Sequence, residues 1–181
     1  MQRNLTYKVV VTDDDDGNKV IAESSISFEA MSSIVSNLQD LPDYNELFIT
    51  AGMHPAPQVR EAVAWKDKIS EEVFKILASD TSILVLRALS RSEAFKKYAD
   101  EMLVLKLINL DGECAQNIAS NIEAIEQVET DEIINLLIKS RDPSVRLSLA
   151  GNYSLPKRIL KMLVNDKDLS VSQEAKRRLE N

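Results

Sequence analysis

Residues 142–164, DPSVRLSLAGNYSLPKRILKMLV, decide the fold, because they have the features of a complete pair of helices. Asp142 can accept a hydrogen bond at a helix N-cap, and Pro143 then occupies the first helical position, where the missing N–H costs nothing. Gly151 tolerates the left-handed geometry in which many helices end, and Pro156 opens a second apolar helix. Neither helix can bury its apolar face alone, so we expect each to pack against the other and against a neighbouring pair.

The pattern of the first of these helices recurs along the chain from residue 56 onward. An apolar anchor is followed by an apolar residue at +4, mostly a small residue at +5 and a polar residue at +7. The anchors are 26, 29, 31 and 26 residues apart, and a period of this length is typical of stacked helical repeats. We expect second helices at residues 70–77, 98–108, 130–137 and 156–164. The five sets are Val59, Val63, Ala64 and Lys66; Val85, Leu89, Ser90 and Ser92; Cys114, Ile118, Ala119 and Asn121; Val145, Leu149, Ala150 and Asn152; Val171, Ala175, Lys176 and Arg178.

Two of these units carry a family resemblance. VREAVAWKDKISEEVFKIL (59–77) and the stretch at 142–164 resemble leucine-rich-repeat variant units, which are themselves similar to HEAT-like α-solenoid repeats. The resemblance covers residues 56–181 and implies a mainly α fold, a short α-solenoid of about four full helix pairs and a truncated C-terminal unit. Some members of the variant family carry an iron–sulfur cysteine cluster ahead of the repeats. This chain has one cysteine, so we expect no cofactor.

Residues 1–55 differ in kind, and we expect them to form a β-hairpin followed by a helical cap. Residues 5–11 and 20–28 are rich in β-branched residues, and an Asp-Gly turn lies between them. A two-stranded hairpin is marginally stable alone, so we expect it to lie against a helix at residues 28–38. The break His54-Pro55-Ala56-Pro57 then separates this cap from the repeats at 56–181.

The acidic turn of this hairpin resembles part of a calcium-binding loop. With Gly17 at the sixth position, Asp14, Asp16 and Glu23 fall at the third, fifth and twelfth positions, where ligands are expected. Thr12 stands where the first ligand should be, and strands rather than helices flank the turn. A solvated acidic tip explains the same residues, so both interpretations stay open.

Composition limits the possible functions. The 181 residues, 44% of them hydrophobic, suit one continuous core. Cys114 is the single cysteine, which permits neither an internal disulfide nor a thiolate metal cage, and no apolar run is long enough for secretion or a membrane span. We therefore expect a cytoplasmic protein. Its net charge of −7 opposes approach to a phosphate backbone and so disfavours nucleic acid as a partner.

The sequence offers little for catalysis. His54 is the single histidine and has no nucleophile or orienting residue near it in sequence, so a structural role in the loop is favoured. Cys114 takes an anchor position and is expected to be buried. We therefore predict no catalytic residue, no resident metal and no enzyme activity.

Four residues are candidates for partner binding. Arg60 and Arg146 follow their anchors directly, and Arg87 lies one residue further on, so their guanidinium groups could form a row along the repeats. Ion pairs between repeats, with caps such as Asp80, Asp111 or Asp142, are the alternative. Trp65 lies near the end of its helix, where it either anchors a partner or fills the core.

We therefore expect a non-enzymatic protein-protein interaction scaffold whose partner is a protein or peptide. The alternative from a different class is a protein similar to the HEAT-like DNA glycosylases, which hold damaged duplex on a concave basic surface. The C-terminal unit is basic, although a solvated end of the array needs no partner to explain that charge.

Overall fold

The computed structural model describes residues 7–13 and 19–180, and this part of the chain is mainly helical. An antiparallel hairpin of β1 (Lys8–Asp13) and β2 (Lys19–Ser25) comes first, and 3₁₀ turns lie at Pro42–Tyr44 and Ile122–Ala124. The α-helices are α1 (Phe28–Asn37), α2 (Asn45–Gly52), α3 (Pro57–Ala64), α4 (Glu71–Ala78), α5 (Ile83–Leu89), α6 (Glu93–Tyr98), α7 (Glu101–Leu110), α8 (Gly112–Asn121), α9 (Thr130–Ile138), α10 (Pro143–Gly151), α11 (Lys157–Leu163) and α12 (Leu169–Glu180).

Local capping sets where the helices begin. The expected second helices at 70–77, 130–137 and 156–164 correspond to α4, α9 and α11. The second helix expected at 98–108 corresponds to α7, which begins three residues later, at Glu101, while Tyr98 is the last residue of the separate helix α6. Asp100 lies between them, and its carboxylate accepts a hydrogen bond of 2.8 Å from the N–H of Leu103. This N-cap places the start of α7 later than apolar spacing alone suggested.

The buried positions follow the repeat pattern. All five anchors and all five +4 residues are buried, and they belong to one apolar core that extends from Met31 in α1 to Ala175 in α12. Contacts run from α1 to α3, from α3 to α5, from α5 to α8, from α8 to α10 and from α10 to α12. Both α1 and α2 also contact α3, so helical packing continues across the boundary expected near residue 55.

The hairpin is in a different environment. The expectation that it lies against the helix at 28–38 is wrong, because every residue of β2 and the strand residues Lys8 to Thr12 of β1 are exposed. It is held at its base instead. The hydroxyl of Tyr7 donates to the carbonyl of Thr50 (3.0 Å), and the Tyr7 ring lies 4.6 Å from that of His54. Meanwhile α1 buries Met31 and Val35 in the helical core.

Within the described ranges, no helix combines the length and the apolar character needed to cross a lipid bilayer.

Candidate partner-binding surface

Arg60 and Arg146 are used inside the helical packing. The Nε of Arg60 donates to Asp80 at 2.6 Å, and its Nη1 donates to the carbonyl of His54 at 2.7 Å. Arg146 repeats this arrangement with Asp166 at 2.7 Å and the carbonyl of Ser140 at 2.7 Å. In both cases the carbonyl lies six residues before the arginine and the carboxylate 20 residues after it. Partner binding at these arginines stays a prediction, and Arg146 is only 3% exposed.

The two carboxylates of these pairs are ionised more readily than usual. Burial opposes ionisation of Asp80, but hydrogen bonds from Arg60 and from the N–H of Ser82 outweigh it and lower the pKa of Asp80. The hydrogen bond from Arg146 lowers the pKa of Asp166. Each fork-shaped pair ties one helix to the loop before a later helix. Ion pairs of this kind were the alternative to partner binding at these arginines. For Arg146, however, the partner is Asp166 rather than Asp142.

Arg87 and Trp65 lie together on an accessible surface. The Arg91 guanidinium lies 5.8 Å from the centroid of the Trp65 ring, and it also pairs with Glu113 at 2.9 Å. Glu113 in turn pairs with Arg87 at 3.1 Å, and Arg87 with Asp111 at 2.8 Å. The hydrogen bond from Arg87 lowers the pKa of Asp111 to about 2. We call these five residues the Trp65 cluster.

The Trp65 cluster includes two residues that sequence reasoning did not select, Arg91 and Glu113. A signal for Arg91 was present, since Arg91 and Trp65 occupy the same position in successive occurrences of the sequence pattern. Equivalent positions of neighbouring repeats lie side by side when repeats stack. The Trp65 side chain is 49% exposed and therefore offers apolar area at the surface.

A groove of about 860 Å³, which we call the α2–α6 groove, is lined by residues of α2, of α6 and of the connections near them. Its apolar lining includes Leu41, Phe48, Ile69 and Tyr98. Charged groups of both signs line it as well, namely Asp40, Asp67, Lys68, Glu93, Lys96, Lys97 and Glu126. Sequence periodicity gave no signal for the groove, because many of its residues come from connections between helices.

An extended segment of the chain already lies beside this groove. The N–H of Glu126 donates to the carbonyl of Lys96 at 2.9 Å, and the side-chain amide of Gln127 donates to the carbonyl of Lys97 at 2.8 Å. Gln127 also forms a parallel bridge with Asp100. The carbonyl groups of Lys96 and Lys97 at the end of α6 thus each accept a hydrogen bond from the segment that follows α8.

The remaining candidates show no arrangement suited to catalysis. His54 is 8% exposed, and its Nδ1 accepts a hydrogen bond of 3.0 Å from the N–H of Ala56, while burial lowers the histidine pKa. Cys114 is fully buried, as predicted, and burial raises the pKa of its thiol to about 11. A thiol in this environment stays protonated at neutral pH.

The calcium interpretation falls mostly on undescribed residues. Asp14 and Asp16 lie outside the described residues, and Glu23 forms an ion pair with Lys8 across the hairpin. Among residues 7–13 and 19–180, no group of three or more acidic, histidine or cysteine side chains is arranged to hold a metal ion.

In comparisons with known proteins, the chain matches no family model, and neither a curated protein nor a solved structure is significantly similar to it.

Proposed function

We propose that this protein is a non-enzymatic scaffold that binds an extended segment of a partner protein in the α2–α6 groove. The observation that carries the proposal is the combination of an apolar lining with charged groups of both signs in one open recess. Protein interfaces commonly have this anatomy, with an apolar centre that supplies binding energy and a polar rim that sets orientation. No cofactor is needed for such a role.

The lining of the groove argues for a peptide-like occupant rather than a compact ligand. Phe48 and Ile69 are almost fully buried at the groove, whereas Leu41 is 44% exposed. An apolar side chain of the partner would therefore contact Leu41 and Tyr98, and its backbone would continue along the end of α6. The backbone hydrogen bond from the N–H of Glu126 to the carbonyl of Lys96 is the precedent within this chain for backbone held at this end of α6.

We further propose that the helices form a short α-solenoid, as the resemblance to leucine-rich-repeat variant units implies. The order of contacts supports this, since each first helix packs on the first helices of the preceding and following units. The matching surroundings of Arg60 and Arg146 also support it, because identical spacing of both partners is expected from structurally equivalent repeats. A stack of this kind offers an elongated face for a partner.

Site-specific photo-crosslinking in native extract tests the proposal. A photoreactive phenylalanine analogue replaces Leu41 in one protein and Leu169, which is 69% exposed and not part of the groove, in the other. We expect a discrete adduct with one partner from position 41 and none from position 169. Lys97→Glu in the first protein should weaken that adduct, because it inverts a charge at the groove.

The outcome against the proposal is equally specific. Adducts of equal yield at both positions, or an adduct at position 41 that Lys97→Glu leaves unchanged, would mean that the α2–α6 groove does not hold the partner.

Duplex DNA is a second candidate ligand, and one observation favours it. Tyr153 is 81% exposed with the Arg178 guanidinium 4.2 Å from its ring centroid, and Lys157 lines the same recess. Aromatic and basic groups of this kind are used in nucleic-acid binding, although the net charge of −7 opposes it. Saturable binding of duplex DNA at low salt that weakens with added salt and is lost in Tyr153→Ala would support this candidate. The scaffold proposal expects no such binding.

A further inference from the structure

The two edges of the hairpin differ. On β2, a bulge interrupts the pairing, because Val11 pairs with Ala22 and Thr12 pairs with Val20, which leaves Ile21 as the extra residue. Bulges twist an edge strand and are one way in which proteins prevent a further strand from pairing with it. On β1, residues Lys8–Asp13 contain no extra residue. The β1 edge is therefore the regular one.

The β1 edge is also apolar and exposed. Val9, Val10 and Val11 are 45%, 46% and 50% exposed. Proteins usually cover or blunt such a strand, because its unpaired N–H and C=O groups form a template for another strand. A two-stranded hairpin that lies free of the helical core also lacks the third strand that would stabilise it.

The backbone pairing fixes which groups point outward from β1. The carbonyl of Tyr7 accepts a hydrogen bond of 3.0 Å from the N–H of Ile26, so these two residues form a hydrogen-bonded pair. Hydrogen-bonded and non-hydrogen-bonded pairs alternate along an antiparallel ladder. Val9 and Val11 therefore direct their backbone groups toward β2, while Lys8, Val10 and Thr12 direct theirs toward the open edge.

We propose that β1 pairs antiparallel with β1 of a second copy of this chain, about a twofold axis at Val10. Only outward-pointing residues can exchange hydrogen bonds across the new edge, so Val10 pairs with Val10 of the copy and Lys8 with Thr12 of the copy. Val9 then lies opposite Val11 of the copy. The result is a continuous four-stranded sheet with the order β2, β1, β1 and β2, whose centre is formed by valines.

The charges along the strand favour a second copy in this orientation. Lys8 is the first residue of β1, and in the sequence Asp13, the last residue of the strand, is followed by three further aspartates. Antiparallel pairing of two copies brings the lysine end of each strand to the acidic end of the other, whereas parallel pairing would align the acidic ends. Lys8 also pairs with Glu23 of its own hairpin, but an ammonium group has three donors.

Sedimentation equilibrium of the full chain, from low micromolar to several hundred micromolar, tests the proposal. We expect a reversible monomer–dimer equilibrium for the wild type. Val10→Pro removes the outward N–H at the twofold axis and should raise the dimer dissociation constant by about tenfold or more. The matched control is Ser25→Pro, which removes an outward N–H on the β2 edge of the same hairpin and should leave the dimer unchanged.

A second variant keeps the test decisive if proline disturbs the hairpin. Val10→Lys retains every backbone group but places two like charges directly opposite each other, and it should also be monomeric. A wild type that is monomeric throughout, or a Val10→Lys variant that dimerises as well as the wild type, overturns the proposal. If the wild type is monomeric, the β1 edge could still pair with a strand from a different protein. This outcome is independent of the α2–α6 groove, which lies among the helices.

Discussion

The hairpin and the helices of this chain use apolar residues in opposite ways. In the helices, Val59, Leu89, Ile118 and Leu149 are fully buried in one core. In the hairpin, Val10 and Ile21 have comparable side chains, yet they are 46% and 64% exposed. Burial of such a side chain is worth about 1.5 to 3 kcal/mol relative to exposure. The helices therefore use apolar residues to stabilise the fold, whereas the hairpin leaves them available at the surface.

A single type of substitution, aliphatic to arginine, should separate the two regions most clearly. Leu149→Arg places a charge in the interior of α10, where the side chain is fully buried. We expect a loss of about 4 kcal/mol or more in the free energy of unfolding, enough to prevent folding of a marginally stable chain. Expression, far-UV circular dichroism and urea unfolding measure this effect.

The matched variant in the hairpin is Ile21→Arg, at the bulge of β2. It should change the free energy of unfolding by less than about 0.5 kcal/mol, because the side chain is already exposed. Equal losses in the two proteins would show that the hairpin is packed more closely than the exposure of its strands indicates.

The next largest effect should come from the buried ion pair between Arg146 and Asp166. Their side chains are 3% and 9% exposed. Asp166→Ala leaves the Arg146 guanidinium buried without its carboxylate, so we expect a loss of about 3 kcal/mol. Asp131→Ala is the control, since Asp131 pairs with Arg158 at the surface and should cost about 0.5 kcal/mol or less. Similar midpoints of urea unfolding for the two variants would contradict this difference.

Much of the helical part could be predicted, because apolar spacing indicates which residues are buried and capping residues indicate where helices begin. The anchors, the +4 residues and the second helices at α4, α9 and α11 follow from apolar spacing. The start of α7 at Glu101 rather than at residue 98 did not follow from spacing, because the carboxylate of Asp100 caps the helix there. The prediction that the hairpin lies against the helix at residues 28–38 was wrong for a related reason. The hairpin is held at its base by the hydrogen bond from Tyr7 to Thr50. The alternation of residues along a strand does not indicate which single residue makes such a contact.

The polar +7 positions show what the sequence pattern could not explain. The ammonium group of Lys66 donates to the carbonyl of Ser36 at 3.1 Å, the amide of Asn152 donates to the carbonyl of Ala119 at 3.2 Å, and Arg178 donates to the carbonyl of Gly151 at 2.9 Å. These three carbonyls lie in the last turns of α1, α8 and α10, where carbonyl groups lack intrahelical partners. The pattern located these polar residues, but their role depends on how the helices are stacked.

The candidate surface was less predictable than the fold. Of the four proposed contact residues, Arg60 and Arg146 lie in ion pairs within the packing, while Trp65 and Arg87 share an accessible cluster. Arg60 and Arg146 directly follow their anchors and Arg87 lies one residue further on, a difference to which sequence reasoning gave no weight. All three arginines pair with an aspartate that precedes a later helix, yet the side chain of Arg87 is 38% exposed and that of Arg146 is 3% exposed.

Acid should weaken the helical part through three carboxylates. The pKa values of Asp80 and Asp166 are lowered, and that of Asp111 is about 2. A carboxyl group with a lowered pKa in the folded state stabilises the fold above its unfolded pKa, near 3.9, and this contribution is lost as the pH falls toward the folded value. We therefore expect the free energy of unfolding to fall steeply below about pH 4.

Asp111→Asn tests this predicted loss of stability in acid, because asparagine is also a good N-cap residue but carries no charge. The wild type should exceed the variant in stability by about 1 kcal/mol near neutral pH, a figure that allows for the partly exposed Arg87. The difference should shrink as the pH falls toward about 2, where about half of the wild-type Asp111 carboxyl groups are protonated in the folded state. A difference that is constant from neutral to acidic pH would mean that the Asp111 charge does not contribute.

The smallest effect concerns the Trp65 cluster, and it provides a signal from the helices alone. Trp65 is the single tryptophan in the chain, so its fluorescence does not report on the hairpin. Arg91→Ala removes the cation over the ring and should cost about 0.5 to 1 kcal/mol while increasing quenching of Trp65 by acrylamide. Arg177→Ala, on the exposed surface of α12, is the control and should leave quenching unchanged.

Urea unfolding compares the hairpin with the helices. If urea changes the circular dichroism of the strands before it changes the Trp65 emission, the hairpin unfolds at a lower free energy than the helices, as its exposure predicts. Coincident transitions would mean that the anchor at Tyr7 couples the two regions into one cooperative unit.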